Sequence, residues 1–178
     1  MTYDHLRYGL YGWFALVAAV ALLGATACGG PPRSTRVAVA QLGEGLNVAD
    51  EAVAAEVTTR GEASRAQVRE EVAAGMIADV EAGLARFEEL MTPTTEARTA
   101  LRVARESLFA LEGALDAWAA GSAPEANFLA IAACAVAALT RLGAILEALE
   151  VELPAALVSG LQTIGALATS ACPESDDG

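Results

Sequence analysis

The chain has 178 residues, of which 11 are arginine and none is lysine, and its 23 acidic side chains give it a formal net charge of -12. This charge argues against a nucleic-acid-binding protein, because neutralising phosphates requires clustered Lys and Arg. Alanine accounts for 42 residues and aromatic residues for only nine, which argues against an all-β protein. Length and composition therefore predict one modest all-α domain.

The first 27 residues have the layout of a secretory signal. Arg7 is followed by a stretch without charge, from Tyr8 to Pro32, whose centre at 13–23 is apolar. The apolar stretch ends at small residues, at positions 25–27. A short polar start, an apolar centre and small residues at the end are typical of a segment that is removed on export.

Cys28 comes directly after those small residues, and this order resembles the lipobox of bacterial lipoproteins. The resemblance covers residues 1–28, with Ala25 where that class more often has Leu. It implies that residues 1–27 are removed and that Cys28 carries acyl chains on its sulfur and amino group. Gly29 in place of Asp implies the outer membrane, facing the periplasm. Residues 28–34 are then a tether.

Two other outcomes stay open for this segment. About 20 apolar residues are enough to span a bilayer, so an uncleaved segment would make the chain a single-pass membrane protein. Alternatively, cleavage after Ala27 without lipidation would release the domain.

The mature chain would contain neither His nor Lys, since the single histidine, His5, lies in the removed segment. This excludes Ser-His-Asp and Cys-His nucleophiles, His-ligated metals, Schiff-base chemistry and lysine-containing phosphate loops. The acidic pairs at 70–71 and 88–89 are interpreted as solvated helix faces. We therefore predict no catalytic, metal-binding or cofactor-binding residue and a protein that is not an enzyme.

Residues 35–172 are predicted to form an antiparallel, up-and-down helical bundle that begins with a long helix. Apolar residues spaced by three or four mark one face of that helix: Val39, Leu42, Leu46, Ala49, Val53 and Val57. The same stripe continues in phase through Val68, Val72, Met76, Val80, Leu84 and Phe87. Residues 35–91 are thus one helix or two helices with a break near 58–61, where Gly61 would cap the first. Pro93 is predicted to end the run.

Two heptad-like seams follow, with alternating spacings of four and three. The first contains Ala97, Leu101, Ala104, Leu108, Leu111, Leu115 and Trp118. The second contains Phe128, Ala132, Ala135, Leu139, Leu142, Leu146 and Leu149. Gly121 closes the first helix, and Ser122 with Glu125 is predicted to form a capping box for the next. The short connection predicts a hairpin with Trp118 packed against Phe128.

A last helix is predicted over residues 154–171, with Leu157, Leu161, Ile164 and Leu167 or Ala168 inward. The segments 126–140 and 153–173 carry no charge. Fifteen residues are too few to cross a bilayer, so we expect the first segment to be a buried helix. Residues 173–178 are predicted to be a disordered acidic tail.

Cys134 and Cys172 are the cysteines left after Cys28, and export favours a disulfide between them. Each lies 19 residues from residue 153, where the last two helices would turn. Two free thiols are the alternative, while a redox role is disfavoured because the chain has no Cys-x-x-Cys motif.

The functional prediction is a lipid-anchored, non-enzymatic structural or protein-interaction module of the cell envelope, without a cofactor. Its partners would be the membrane and a protein, or a second copy bound through helix faces on residues 37–60. The alternatives are a carrier of a small apolar ligand and a membrane-active helical protein that uses the uncharged segments.

Overall fold

The computed structural model describes residues 30–170, which form four α-helices and no strand. They are α1 (Arg33–Ala73), α2 (Val80–Ala119), α3 (Glu125–Ala148) and α4 (Ala155–Ser170). Short connections make consecutive helices antiparallel. Helix α2 packs between α1 and α3, while α4 packs mainly on α1 and less extensively on α3. The prediction of an all-α helical bundle is confirmed.

The two heptad-like seams face each other across the core, as predicted. Every seam residue of α3 is buried, and so are all seam residues of α2 except the half-buried Trp118. The rings of Trp118 and Phe128 lie 5.3 Å apart, centre to centre, near the turn between these helices. Regular spacing of four and three therefore identified correctly which faces of α2 and α3 meet.

The stripe at the start of α1 is also buried, which contradicts the prediction of an open binding face on residues 37–60. Val39, Leu42 and Val53 are each at most 3% exposed. Helix α4 covers this part of the stripe, and its Leu157 and Ile164 are fully buried. The apolar stripe in the first half of α1 is therefore part of the core and is not open to a partner.

Glycine permits the close approach of α1 and α4. A Cβ atom on Gly160 would lie 2.8 Å from the Leu42 side chain and 2.9 Å from the carbonyl oxygen of Ala38. A Cβ atom on Gly45 would lie 2.5 Å from the backbone nitrogen of Leu157. These positions accept no side chain unless the helices separate.

The long first helix ends where neither alternative had placed its end. Helix α1 is continuous through residues 58–61, so Gly61 is a mid-helix residue and the cap prediction is wrong. The helix ends at Ala73, and Gly75 follows with φ +72°. The Gly75 and Met76 amides donate to the carbonyls of Val72 and Glu71, which is a Schellman ending.

Pro93 lies inside α2, so the prediction that it ends a helix is also wrong. Neighbouring threonine hydroxyls donate to carbonyls of the preceding turn. Those of Thr94 and Thr95 both bond to the Met91 carbonyl oxygen, at 2.8 and 3.2 Å. Pro93 removes the backbone donor to the carbonyl oxygen of residue 89, and these hydroxyls bond to a different carbonyl, so the helix continues with that backbone hydrogen bond missing.

The turn between α2 and α3 agrees with prediction at its glycine and differs at its cap. Gly121 has φ +69° and its amide donates to the Trp118 carbonyl oxygen, so it does end α2. Ser122 does not cap α3, because its hydroxyl donates backwards to the carbonyl of Ala117. The N-cap residue of α3 is Pro124, which makes no side-chain capping bond.

Helix α3 is longer than its uncharged segment suggested. It has 24 residues, and by length and composition alone it could cross a membrane. The argument that it was too short to do so is therefore wrong. Its buried seam is that of a core helix in a bundle, and a third of its most apolar stretch lies inside the structure.

The predicted outer parts of the chain are described only in part. Helix α1 begins at Arg33, so the last two residues of the predicted 28–34 tether are helical. The predicted signal (1–27), Cys28, Cys172 and the predicted tail (173–178) lie outside the described residues. Those predictions stay predictions.

The Gly160→Ala variant should unfold more easily, by about 1–3 kcal/mol, because the added methyl group overpacks the α1–α4 contact. Gly165 lies in the same helix, and a Cβ atom there would have no neighbour within 4 Å. Gly165→Ala should therefore stabilise the protein, by about 0.5–1 kcal/mol. Urea unfolding followed by circular dichroism measures both changes, and equal effects of the two substitutions would contradict the close contact.

Candidate functional site: an apolar groove on a helical arm

Helices α1 and α2 are longer than the bundle that they help to build. They have 41 and 40 residues, while α3 and α4 have 24 and 16. At 1.5 Å per residue, α1 is about 60 Å long and α3 about 36 Å. The excess lies at the α1–α2 turn, because Trp118 meets Phe128 at the opposite end. We call residues 65–90 the arm and the four-helix remainder the body.

Small and polar residues form the interface between α1 and α2 where the arm leaves the body. Gly61, Ser64 and Thr94 are buried there, and the Ser64 hydroxyl lies 3.9 Å from the Met91 sulfur. Within the arm itself, Gly83 is the only buried residue. The two arm helices thus bury very little apolar surface against each other.

An apolar groove of about 660 Å³ runs along one face of the arm. We call it the arm groove. Its apolar walls come from both helices and from the turn between them: Val68, Val72, Ile77, Val80, Leu84 and Phe87. These residues, together with the exposed Met76, include the whole of the stripe that continues in phase after residue 57. The stripe is buried in the body and open to solvent in the arm.

Charged side chains join the two helices on the opposite face of the arm. Arg86 lies 3.3 Å from Glu71 across the helices and 2.7 Å from Glu89 along its own helix. Gln67 donates to Glu71 at 2.8 Å. The hydrogen bonds from Gln67 and then Arg86 lower the pKa of Glu71. Those to Glu89 and then Glu71 raise the pKa of Arg86. The charged side chains of this back face, Glu71, Arg86 and Glu89, thus pair with one another.

The arm groove itself has charges at its two ends. Arg65 and Arg69 line it on the side of the body and Asp79 at the tip. Among the described residues neither arginine forms an ion pair. Asp79 caps α2, since its carboxylate accepts from the Ala82 amide at 2.8 Å, and its other oxygen has no side-chain partner in residues 30–170. The groove is thus apolar along its length, cationic at one end and anionic at the other.

The structure places one of the three predicted cysteine sites. Cys134 is an exposed thiol on α3 and lies beside Val103, Ser107 and Ala110 of α2. Its predicted partner, Cys172, is outside the described residues, and so is the predicted lipidation site, Cys28. The disulfide and the lipid anchor are therefore untested predictions.

The acidic pairs are for the most part solvated, as interpreted. Glu70, Glu88 and Glu89 are exposed, while Glu71 is half-buried beneath Arg86. No group of three His, Cys, Asp or Glu side chains within residues 30–170 could hold a metal ion.

No family model, curated protein or solved structure matches the chain.

Sequence reasoning found the apolar stripe of the arm and missed that it is exposed. The stripe alone has the same spacing in the arm as in the body, so it cannot distinguish them. The sequence does carry one indication that the arm has no core. Gly61, Ser64 and Gly83 occupy interface positions at which a core helix would carry Leu or Val. A second signal was the lengths of the last two helices, which are too short to cover residues 65–90.

Proposed function

We propose that the protein is a membrane-anchored, non-enzymatic interaction module of the bacterial cell envelope, and that the arm is its binding surface. The observation that carries the proposal is the arm groove, an apolar face that two helices present to solvent while four helices enclose the body. Exposed apolar patches of this kind are typical of sites for protein interaction. The absence of Lys from the chain, and of His from the proposed mature chain that begins at Cys28, supports a role in binding over one in catalysis.

The anchor sets where this surface operates. In this proposal Cys28 holds the lipid, and four residues, 29–32, separate it from the start of α1 at Arg33. The five Cα–Cα steps from Cys28 to Arg33 span at most about 17 Å. The body then lies close to the membrane, and the tip of the arm lies up to about 60 Å from the start of α1.

A carrier of a small apolar ligand is the weaker candidate. The arm groove has a volume that suits such a ligand, about 660 Å³. However, it is open along its length and its most exposed walls, Val80 and Leu84, would remain largely wet beside a single small molecule. A helix or a second protein surface covers such a groove more completely.

The anchor is tested by the intact mass of the protein taken from a membrane fraction. We expect a chain that begins at Cys28 and carries acyl chains. Alkylation of both remaining thiols only after reduction would support the Cys134–Cys172 disulfide. A mass that begins at Met1 would contradict the lipoprotein assignment, and alkylation of both thiols without reduction would contradict the disulfide.

The interaction surface is tested by placing a photo-reactive residue at Leu84 in cells, because amine-directed cross-linkers have no lysine to act on. We expect cross-linked protein adducts from this position. The matched control is Phe109, which lies on the body part of the same helix and is 78% exposed. Adducts that form equally at both positions, or at neither, would argue against the arm as the binding surface.

A further inference from the structure

Among the described residues, no helix covers the arm groove, whereas the same stripe is covered in the body. Val72, Met76, Val80 and Leu84 are 51, 70, 82 and 59% exposed. In the body, leucine and valine on the same stripe are almost fully buried, because two further helices pack over them. Two more helices packed over the arm groove would give the arm the four-helix core that the body has.

The charges at the two ends of the arm groove indicate which side chains the two covering helices carry. Their binding face must be apolar, with an acidic side chain near Arg65 and Arg69 and a basic side chain near Asp79. The arm itself has this pattern when it is turned end to end, since its acidic tip then meets the cationic end of the other groove. A surface that complements itself in this way suits a two-fold dimer.

We propose that the occupant of the arm groove is the arm groove of a second copy of this chain. The two arms lie tip to base with their grooves facing each other, and their four helices form one short bundle. Asp79 of each copy faces Arg65 and Arg69 of the other, and the Val80 and Leu84 side chains are covered. This inference rests on the proposed function, because it names the partner of the same surface.

The chain's own apolar N-terminal segment is a poor alternative occupant. The groove begins at Arg65, which lies 32 residues along α1 from Arg33, or about 48 Å. The four residues between Cys28 and α1 place Cys28 at most about 17 Å from Arg33. The proposed function also removes residues 1–27, so the mature chain would not carry that segment.

The back face of the arm offers no comparable site. Glu71, Arg86 and Glu89 already neutralise one another there. A partner on that face would have to break these contacts or desolvate them, which costs free energy. Pairing through the arm groove leaves the Glu71–Arg86–Glu89 contacts intact and exposed to water.

The proposed pairing determines the length of the interface and the positions of the two bodies. The groove residues of α1 extend from Arg65 to Val72, about 11 Å along the helix, and so short an interface is typical of weak and reversible complexes. The two bodies lie at opposite ends, with their α1 starts roughly 110 Å apart. The lipid anchors of such a dimer lie in two facing membranes, or in one membrane on which both chains lie flat.

The test is sedimentation velocity of the full chain in mild detergent, over a range of protein and salt concentrations. We expect a reversible dimer that added salt weakens, because the paired end charges are exposed. Arg69→Glu and Asp79→Arg should each raise the dissociation constant at least tenfold. A mixture of these two variants should form a heterodimer, since each variant supplies the charge that the other now needs.

Two controls keep the result specific. Phe109→Glu adds a charge to the exposed surface of the body and should leave the dimer unchanged. Asp79→Asn keeps an N-cap side chain while removing the charge, so it separates loss of pairing from fraying of α2. We expect it to weaken the dimer, although less than Asp79→Arg does.

Three outcomes would overturn the pairing. They are a chain that stays monomeric at every concentration reached, a dimer that the arm substitutions leave unchanged, and a dimer that salt strengthens, as tip-to-tip pairing of like charges predicts. Cross-linked adducts to a different protein from Leu84 would then keep the arm as an interaction surface with another occupant. A monomer without adducts would overturn both proposals.

Discussion

The architecture depends on one constraint, which is that two helices cannot enclose a core whereas four can. Helices α1 and α2 continue beyond the body for about 12 Å, from residue 65 to residue 73 of α1. Within the body, α4 covers the stripe of α1, and Gly45 and Gly160 allow the two helices to pack closely. Beyond the body, no third helix within residues 30–170 packs over the same stripe. The binding surface is a direct consequence of unequal helix lengths.

The arm is held together by a different set of interactions from the body. In the body, leucine side chains from four helices interdigitate and remove apolar surface from water, which is the main stabilising term. In the arm, α1 and α2 meet through Gly83 and partly buried side chains, and Arg86 bridges to Glu71 across the back. Such exposed ion pairs contribute little free energy. The arm is therefore the less stable part of each long helix, and covering its groove would stabilise it.

The sequence predicted the elements whose pattern is local and missed those that depend on the whole fold. Strict spacing identified the faces of α2 and α3 and the Trp118–Phe128 contact, because heptad spacing fixes one face of a helix. Pro93 was predicted to end a helix, yet a proline removes a single backbone donor, and α2 continues through it and packs against α1. Gly75 ended α1 although the stripe stays in phase across it. The groove was missed, because it depends on where α3 and α4 end relative to α1, and the spacing of the stripe carries no information about that.

Hydrogen exchange resolved along α1 and α2 tests the central claim most directly, when it is measured at a concentration low enough to keep the chain monomeric. The account predicts that amides in residues 66–73 and 84–90 exchange much faster than amides of the same helices in the body, at 38–53 and 97–115. Raising the concentration should slow exchange in the arm and leave the body unchanged. Equal protection along the whole of α1 and α2 at low concentration would contradict a free two-helix arm.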